Sequence, residues 1–442
     1  MRLRSILLCI VVLAILSAIE MKITKIQKDS EFSGYWKYES CGMGKVKMTD
    51  YSGAETVVQI PDKIKGKKVV MLESELFEGN CYVEKIIIPP TVHTVGAYCF
   101  RECEALETVE GYENIEEDEY STFYGCKSLK RITLGNQLEE ISLESFKNCT
   151  SLEEIEIPAS VTQIDDGAFV GCTSIKSVVV PENVLWIGNS FSECTSLKSA
   201  EIHARNVGAA FCNCSSLKNV IIGEECEELE YETFKNCPKL KRIEIPSSVR
   251  KIGMRCFSGC TALKKVEFHR GLTIIDGWVF EECTSLKKII LPNTVTNIGD
   301  AFWYCDIEDI EIPKSVTQIE GIGDMYGEGE GERTATIHCY ENSYAEDFAK
   351  EYGFDYVLIS EIPCEELTVE QSEINIDVGS KSRIRYSVLP ENTTDAVIWE
   401  SSDEDIVEIN DVGEITGIGK GVAAIVVTTT NGKKEIVDVY VE

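Results

Sequence analysis

The motif Phe-x-x-Cys recurs ten times, from Phe100/Cys103 to Phe302/Cys305. Its phenylalanines stand 23 residues apart in most steps and 22 or 20 in the others. After each cysteine comes Leu-x-x-Ile-x-Ile or a close variant: Leu152, Ile155, Ile157; Leu240, Ile243, Ile245; Ile307, Ile310, Ile312. In many copies Pro and a second apolar pair follow, as in Pro158, Val161 and Ile164. A degenerate earlier copy runs through Phe77, Cys81, Val83, Ile86, Ile88 and Pro89. Ile-x-Ile is a period-two strand with one face inward. Proline lacks the N–H that would continue a ladder and ends it. Val-x-x-Ile gives a second short extended segment, and Phe turns the chain back as the bulky core residue. One such unit cannot bury its own apolar face, so copies must stack into a solenoid of parallel strands.

Pro158-Ala-Ser-Val-Thr-Gln-Ile164, Ala168-Phe169-Val-Gly-Cys172-Thr-Ser-Ile175 and their copies resemble the BspA-type (treponemal-type) leucine-rich repeat over residues 35–358. Tyr51-Ser-Gly53, Ile60-Pro61 and Gly66-Lys-Lys-Val69 look like an opening unit. Tyr340 to Tyr356 looks like a closing one. Within it, Ser343-x-x-Glu346 is a capping box and Gly353 a stop signal, which predicts a short helix over the last rung.

Ten of the nineteen cysteines occupy the Phe-x-x-Cys slot, and no Cys-x-x-Cys occurs. A zinc ribbon therefore has no support. Two readings remain. The cysteines form disulfide staples, as export would favour, or they form a ladder of buried thiols, each donating to a carbonyl of the neighbouring rung. Side chains one per rung point the same way rather than at each other, which favours the ladder. Cys226 stands where the copy at Val161 has valine, a core position.

After Tyr356 the pattern changes. Ile374-x-Ile376-x-Val378, Arg383-Ile384-Arg385-Tyr386 and Val437-x-Val439-x-Val441 alternate, with turn signals at Gly379-Ser380, Pro390-Glu-Asn392 and Asn431-Gly432. That predicts short strands of a sandwich. Leu389-Pro390-Glu-Asn392, Trp399-Glu-Ser-Ser402 and Gly413-Glu-Ile-Thr-Gly417-Ile-Gly-Lys-Gly421 resemble the group 2 bacterial immunoglobulin-like domain over residues 365–442. Trp399 is expected in its core and the glycines in its turns. The fold class is thus a β-rich leucine-rich-repeat solenoid, with short turns or helices between parallel strands, followed by an all-β immunoglobulin-like sandwich.

Residues 1–19 read as a signal peptide or N-terminal anchor. Arg2 and Arg4 precede an apolar and small-residue run from Ser5 to Ile19, too short for a comfortable membrane helix. Ala18 suits the residue before a cleavage site, but Leu16 does not suit the position two before it, so cleavage and retention both stay open. The protein is expected to be secreted or at the cell surface, and to meet a membrane only through this segment if it is uncleaved.

With 43 basic residues against 75 acidic ones, the net charge is −32. That excludes ordinary nucleic-acid binding, which needs clustered Lys and Arg. The four histidines, His93, His203, His269 and His338, stand in no metal spacing. No nucleophile elbow, zinc-protease helix or phosphate loop occurs. The Gly-rich acidic stretch from Glu320 to Glu332 lacks the order of a calcium loop and reads as a solvated loop. No catalytic residue, metal or cofactor is expected.

One surface feature departs from the composition. The two x residues of Leu-x-x-Ile should face solvent, and the first is Lys176, Lys198, Lys218, Lys241, Lys264 and Lys287 in successive copies. The second adds Arg242, Lys265 and Lys288. This basic stripe is either paired with Glu201, Glu244, Glu267 and Glu311 further along the strands, or a site for an anionic partner. On the second reading the ligand-binding residues are Lys218, Lys241, Arg242, Lys264, Lys265, Lys287 and Lys288. BspA-type proteins are adhesion proteins, and group 2 immunoglobulin-like domains recur in bacterial adhesins. The resemblance therefore implies a non-enzymatic binding protein with a protein or glycan ligand. The alternatives are a non-catalytic scaffold or targeting part of a cell-surface hydrolase system and, more remotely, an enzyme whose site is unrecognised.

Overall fold

The structure is a computed structural model and describes residues 30–33, 35–322 and 335–442. The expected export segment at 1–19 and most of the acidic Gly-rich stretch lie outside the described residues. The chain divides into two compact units, Met1–Ala200 and Glu201–Glu442.

In the first unit the repeats stack as the period predicts. Short strands Glu140–Ile141, Gln163–Ile164 and Trp186–Ile187 pair in parallel, one residue pair per rung for each member of the ladder. Val57–Gln59, Lys85–Ile87 and Thr108–Glu110 form a second parallel sheet from the Ile-x-Ile segments. Each inward residue is buried: Ile86, Val109, Ile141, Ile164 and Ile187. Rings of Phe77, Phe100, Phe123, Phe146, Phe169 and Phe191 stack nearly parallel, with centroids 4.8 to 5.5 Å apart. Trp36 and Tyr51 close one end against Phe77, at 6.0 and 5.3 Å. They belong to an antiparallel hairpin, Trp36–Gly42 with Lys45–Tyr51, which the repeat pattern did not foresee.

The copy at Leu152, Ile155 and Ile157 departs from expectation. Its apolar side chains are buried, yet residues 153–157 form no ladder. The preceding copy retains only an isolated bridge, Thr108 to Arg131. Burial of alternate side chains holds the extended course here, while the backbones spread and leave a cleft of about 570 Å³ beside Glu110, Arg131 and Glu154.

How the chain turns at each phenylalanine is a finding of the structure. At most of them the residues two before and two after adopt left-handed backbone: Tyr98 and Glu102 around Phe100 at φ 58° and 56°, Glu232 and Asn236 around Phe234 at 55° and 57°; at Phe191, Phe211 and Phe302 only the residue two after does. A side chain there costs roughly 1–2 kcal/mol. Hydrogen bonds to the next rung offset that cost. Tyr98, Phe100 and Glu102 donate their N–H groups to the carbonyls of Tyr120, Thr122 and Tyr124, at 3.2, 2.9 and 2.7 Å. The cysteine three residues after the phenylalanine completes the turn. Cys103, Cys126, Cys149 and Cys172 donate Sγ–H to the carbonyls of Phe77, Phe100, Phe123 and Phe146, at 3.0 to 3.1 Å. No disulfide joins any of the described cysteines. Burial pushes the Cys149, Cys172 and Cys260 thiols up, Cys260 to about 12.

The second unit continues this geometry. Six two-residue strands run from Asn206–Val207 to Gln318–Ile319 in parallel. Arg242–Ile245 pairs with Lys265–Phe268. Lys288–Ile290, Asp309–Glu311, Thr336–Cys339 and Asp355–Leu358 form another parallel sheet. Phe211 to Phe302 stack at 5.5 to 5.6 Å. Cys226 is buried. The predicted helix is Tyr344–Tyr352, capped by Ser343 Oγ, which accepts from the Glu346 N–H, and ended by Gly353 at φ 71°. The Glu346 carboxylate accepts from the Asn342 N–H at 2.7 Å rather than from that of Ser343.

Residues 366–441 form the sandwich of the same unit. One sheet is Glu373–Ile376, Lys434–Val441, Gly421–Thr429 and Val397–Ser401; the others are Lys381–Arg383, Glu414–Gly417 and Val407–Ile409, and the pair Glu366–Val369 with Tyr386–Leu389. Ile374, Ile384, Val407, Ile415, Ile425 and Val439 lie in its core. Three expectations are corrected. Arg383 to Tyr386 is not one strand. The chain leaves one sheet at Arg383 and joins another at Tyr386, each stretch finding different backbone partners. Trp399 is only partly buried, at the core's edge against Tyr386, and Gly417 ends a strand rather than making a turn.

Two outcomes follow. Phe169→Ala, which removes a fully buried ring, should cost ~3–5 kcal/mol, read as a lowered denaturant midpoint; an unchanged midpoint would place the core elsewhere. Alkylation of the denatured, unreduced protein, followed by mass spectrometry, should find the Phe-x-x-Cys cysteines as free thiols.

Candidate functional site

The outward positions of the second unit's strands carry the basic stripe. Lys218, Lys241, Arg242, Lys264, Lys265, Lys287 and Lys288 are all exposed. Parallel register sets Arg242 beside Lys265 and Glu244 beside Glu267, giving a cationic column next to an acidic one. Glu267 pairs with Arg242 at 3.5 Å and with Lys265. The Lys265 ammonium holds the Glu267 carboxyl below the usual carboxylate range. Lys287 reaches Asp306 at 3.2 Å and Glu308 at 3.9 Å. Lys218, Lys241, Lys264 and Lys288 have no ion-pair partner among the described residues. Of the expected acidic partners, Glu267 alone answers the stripe by ion pairing. Glu201 and Glu244 bind His203 and His269, at 3.0 and 2.9 Å.

The sandwich docks beside this stripe through side chains that seek backbone oxygens. Arg270 donates to the carbonyls of Thr393 and Asp395, both at 3.2 Å. Asn293 donates to the same two carbonyls. In the other direction Arg383 donates to the carbonyls of Ser247 and Ser248, at 3.1 and 3.4 Å. Charged hydrogen bonds of this kind contribute about 1.5–3 kcal/mol each. Arg250 and Lys381 share Glu414, at 3.6 and 2.9 Å. Gly271, at φ 144°, lets the chain pass Ser247, whose carbonyl oxygen would lie 1.9 Å from an added Cβ.

His269 closes the junction. Its two ring nitrogens lie 2.9 Å from the Glu244 carboxylate and 2.7 Å from that of Glu391 in the sandwich. Partial burial disfavours the imidazolium, but the hydrogen bonds its ring N–H groups donate to both carboxylates outweigh it and raise the pKa. Between docked sandwich and strand face lies a cleft of about 500 Å³. Lys264, Lys265 and Lys288 line it, with Phe268, Ile290, Pro292, Pro313 and Tyr340 as its apolar part and Glu391 to Thr394 at its edge. Lys218, Lys241, Arg242 and Lys287 lie outside it.

Sequence reasoning missed this junction. The available signal was a departure from the repeat: where other copies have Ile-Pro-Ser or Leu-Pro-Asn, this one reads Phe268-His269-Arg270. Among the described residues no group of three or more His, Cys, Asp or Glu is placed to hold a metal ion. No described helix is long and apolar enough to cross a membrane.

Short parallel strands on two sides, a stacked phenylalanine at every turn and a thiol bonded to the previous rung define a leucine-rich-repeat solenoid. Residues 70–204 and 207–322 match the BspA type leucine rich repeat region in six copies, and the chain belongs to that family. Residues 363–439 match the group 2 bacterial Ig-like domain. A leucine-rich repeat protein of Bacteroides ovatus shares the fold, with a TM-score of 0.51 at 24% identity over 75% of this chain and 100% of that one. A lacto-N-biosidase of Bifidobacterium bifidum is 34% identical over 73 residues, 16% of this chain and 7% of that protein. An uncharacterized protein of Clostridium acetobutylicum is 40% identical over 62 residues, 13% of this chain and 16% of that protein. The chain thus matches only a small part of either protein's length.

The histidine contact has a pH signature. A raised folded-state pKa stabilises below the unfolded value of ~6.5 and loses that contribution as pH rises through the folded value. His203, held by Glu201 despite partial burial, has the same sign. The melting temperature should therefore fall between pH 6 and pH 8. His269→Gln should flatten part of that fall, leaving the part due to His203, in a thermal scan at several pH values.

Proposed function

We propose that this is a non-catalytic binding protein, secreted or at the cell surface, that takes a protein or glycan on the strand face of its solenoid. In this reading residues 35–358 are the binding module and residues 365–442 a second module that borders the ligand. The observation that carries it is the exposed cationic stripe on a protein of net charge −32: four of its seven candidate ligand-binding residues lack an ion-pair partner among the described residues. Beyond ~8 Å the overall acidity is screened at physiological salt, so a local cluster governs contact. Repeat and immunoglobulin-like modules of these families typically carry no chemistry of their own, which supports a binding role.

A second reading has its own support. The segment shared with lacto-N-biosidase is 7% of that enzyme, as expected of an accessory module rather than a catalytic one. This chain would then be a scaffold or targeting component of a cell-surface hydrolase system.

A glycan and protein binding array with the full chain tests the first reading. Changing Lys241, Arg242, Lys264, Lys265, Lys287 and Lys288 together to Ser should abolish the hits. It should lower stability by no more than about 1 kcal/mol for each exposed pair lost. Hits that survive the change exclude the stripe, and with it this reading of the strand face.

A further inference from the structure

The stripe is not uniform: Ile221 and Ile290 stand where other strands carry a carboxylate, and the rung of Ile290 lies in the cleft. Successive strands present a cation and then a carboxylate two residues on: Arg242 and Glu244, then Lys265 and Glu267. At Lys288–Ile290 the carboxylate is replaced by Ile290, which is 49% exposed. Lys288 therefore has no acidic partner within its own strand. Its register neighbour Asp309 is held by His338 at 2.7 Å. Lys264, which also lines the cleft, has no ion-pair partner among the described residues.

The carboxylates around the cleft are mostly engaged. Glu244 and Glu391 face His269, and Glu267 faces Lys265 and Arg242. Glu311, beside Ile290 in the ladder, has no ion-pair partner among the described residues. The cleft thus offers two uncompensated ammonium groups, one carboxylate acceptor and an apolar surface of Ile290, Pro292 and Pro313. Its volume of about 500 Å³ is that of a small-molecule site. A folded partner would instead need a patch of ~800 Å² on each side.

We infer that this cleft binds a terminal acidic sugar, carboxylated or sulfated. Lys264 and Lys288 take the anion, Glu311 accepts from a hydroxyl, and Ile290 with the two prolines packs on the C–H face of the ring. The sandwich loop Glu391–Thr394 walls the far side. This rests on the strand face being the binding surface, and it narrows that reading to one rung and one ligand class.

Calorimetry on the full chain tests it with sialyllactose, a chondroitin sulfate disaccharide, lactose and a short Glu-rich peptide. At least one acidic saccharide should bind, with lactose and the peptide weaker by about tenfold or more, as expected for loss of a charged hydrogen bond or of the sugar ring contacts. The relative strength of the first two distinguishes a carboxylate from a sulfate. Ile290→Glu restores the acidic residue that neighbouring rungs carry, so it should fold normally, pair with Lys288 and weaken binding about tenfold. Lys288→Ser should do the same, while Lys218→Ser, outside the cleft, should change nothing. The inference is overturned if neither acidic saccharide binds, if binding survives both cleft substitutions, or if the peptide binds best. Array hits that depend on the six-residue change would still uphold the broader reading after any of these results.

Discussion

The phenylalanine turn is the element on which the structure depends. Its one or two left-handed residues are in a conformation that only glycine adopts freely, and glycine fills only some of the sites. Each turn is held by the next, through N–H groups donated across rungs and a thiol donated back to the phenylalanine carbonyl. The stacked rings lie inside that frame. No turn has these partners alone, which is the physical reason the unit must repeat and why an aromatic hairpin closes one end.

The strand side is looser. In the first unit the ladder lapses around Arg131 and Glu154, although the buried side chains keep their alternation. Pairing there is secondary to packing. Freedom on the outward face is what allows one rung to carry Ile290 where its neighbours carry glutamate, at no cost to the interior. In the second unit the sandwich uses the same freedom. Arg270 and Asn293 occupy solvent-facing positions after their strands and are given over to holding the loop at Thr393.

The repeat, the free thiols and the closing helix were legible in the sequence because each follows from a periodicity or a cap that a single unit displays. Phe169 and Cys172 announce their burial by recurring. The sandwich was legible as a class, but its sheet exchange after Arg383 was not, because both stretches alternate alike and only their partners differ. The stripe was legible as exposure, and its pairing was not. Which lysines are compensated depends on register across rungs and on the carboxylates that His203 and His269 draw away. The junction was hidden for the same reason, since Arg270, Asn293 and Arg383 bind carbonyl oxygens, which every sequence supplies.

The thiol column bears on how the protein meets its chemical surroundings. Cysteines are abundant, yet nearly all those of the column are fully buried, and burial disfavours the thiolates of Cys149, Cys172 and Cys260. Oxidants, electrophiles and soft metals act on thiolates they can reach. The folded column is therefore nearly inert toward all three. Among the described residues only Cys41 and Cys81 are exposed. Of the described cysteines, a thiol-directed dye applied to the native protein would mark those two sites first, with Cys212 and Cys305 half-buried, and leave the fully buried thiols silent, so that labelling of the latter becomes a direct count of opened rungs.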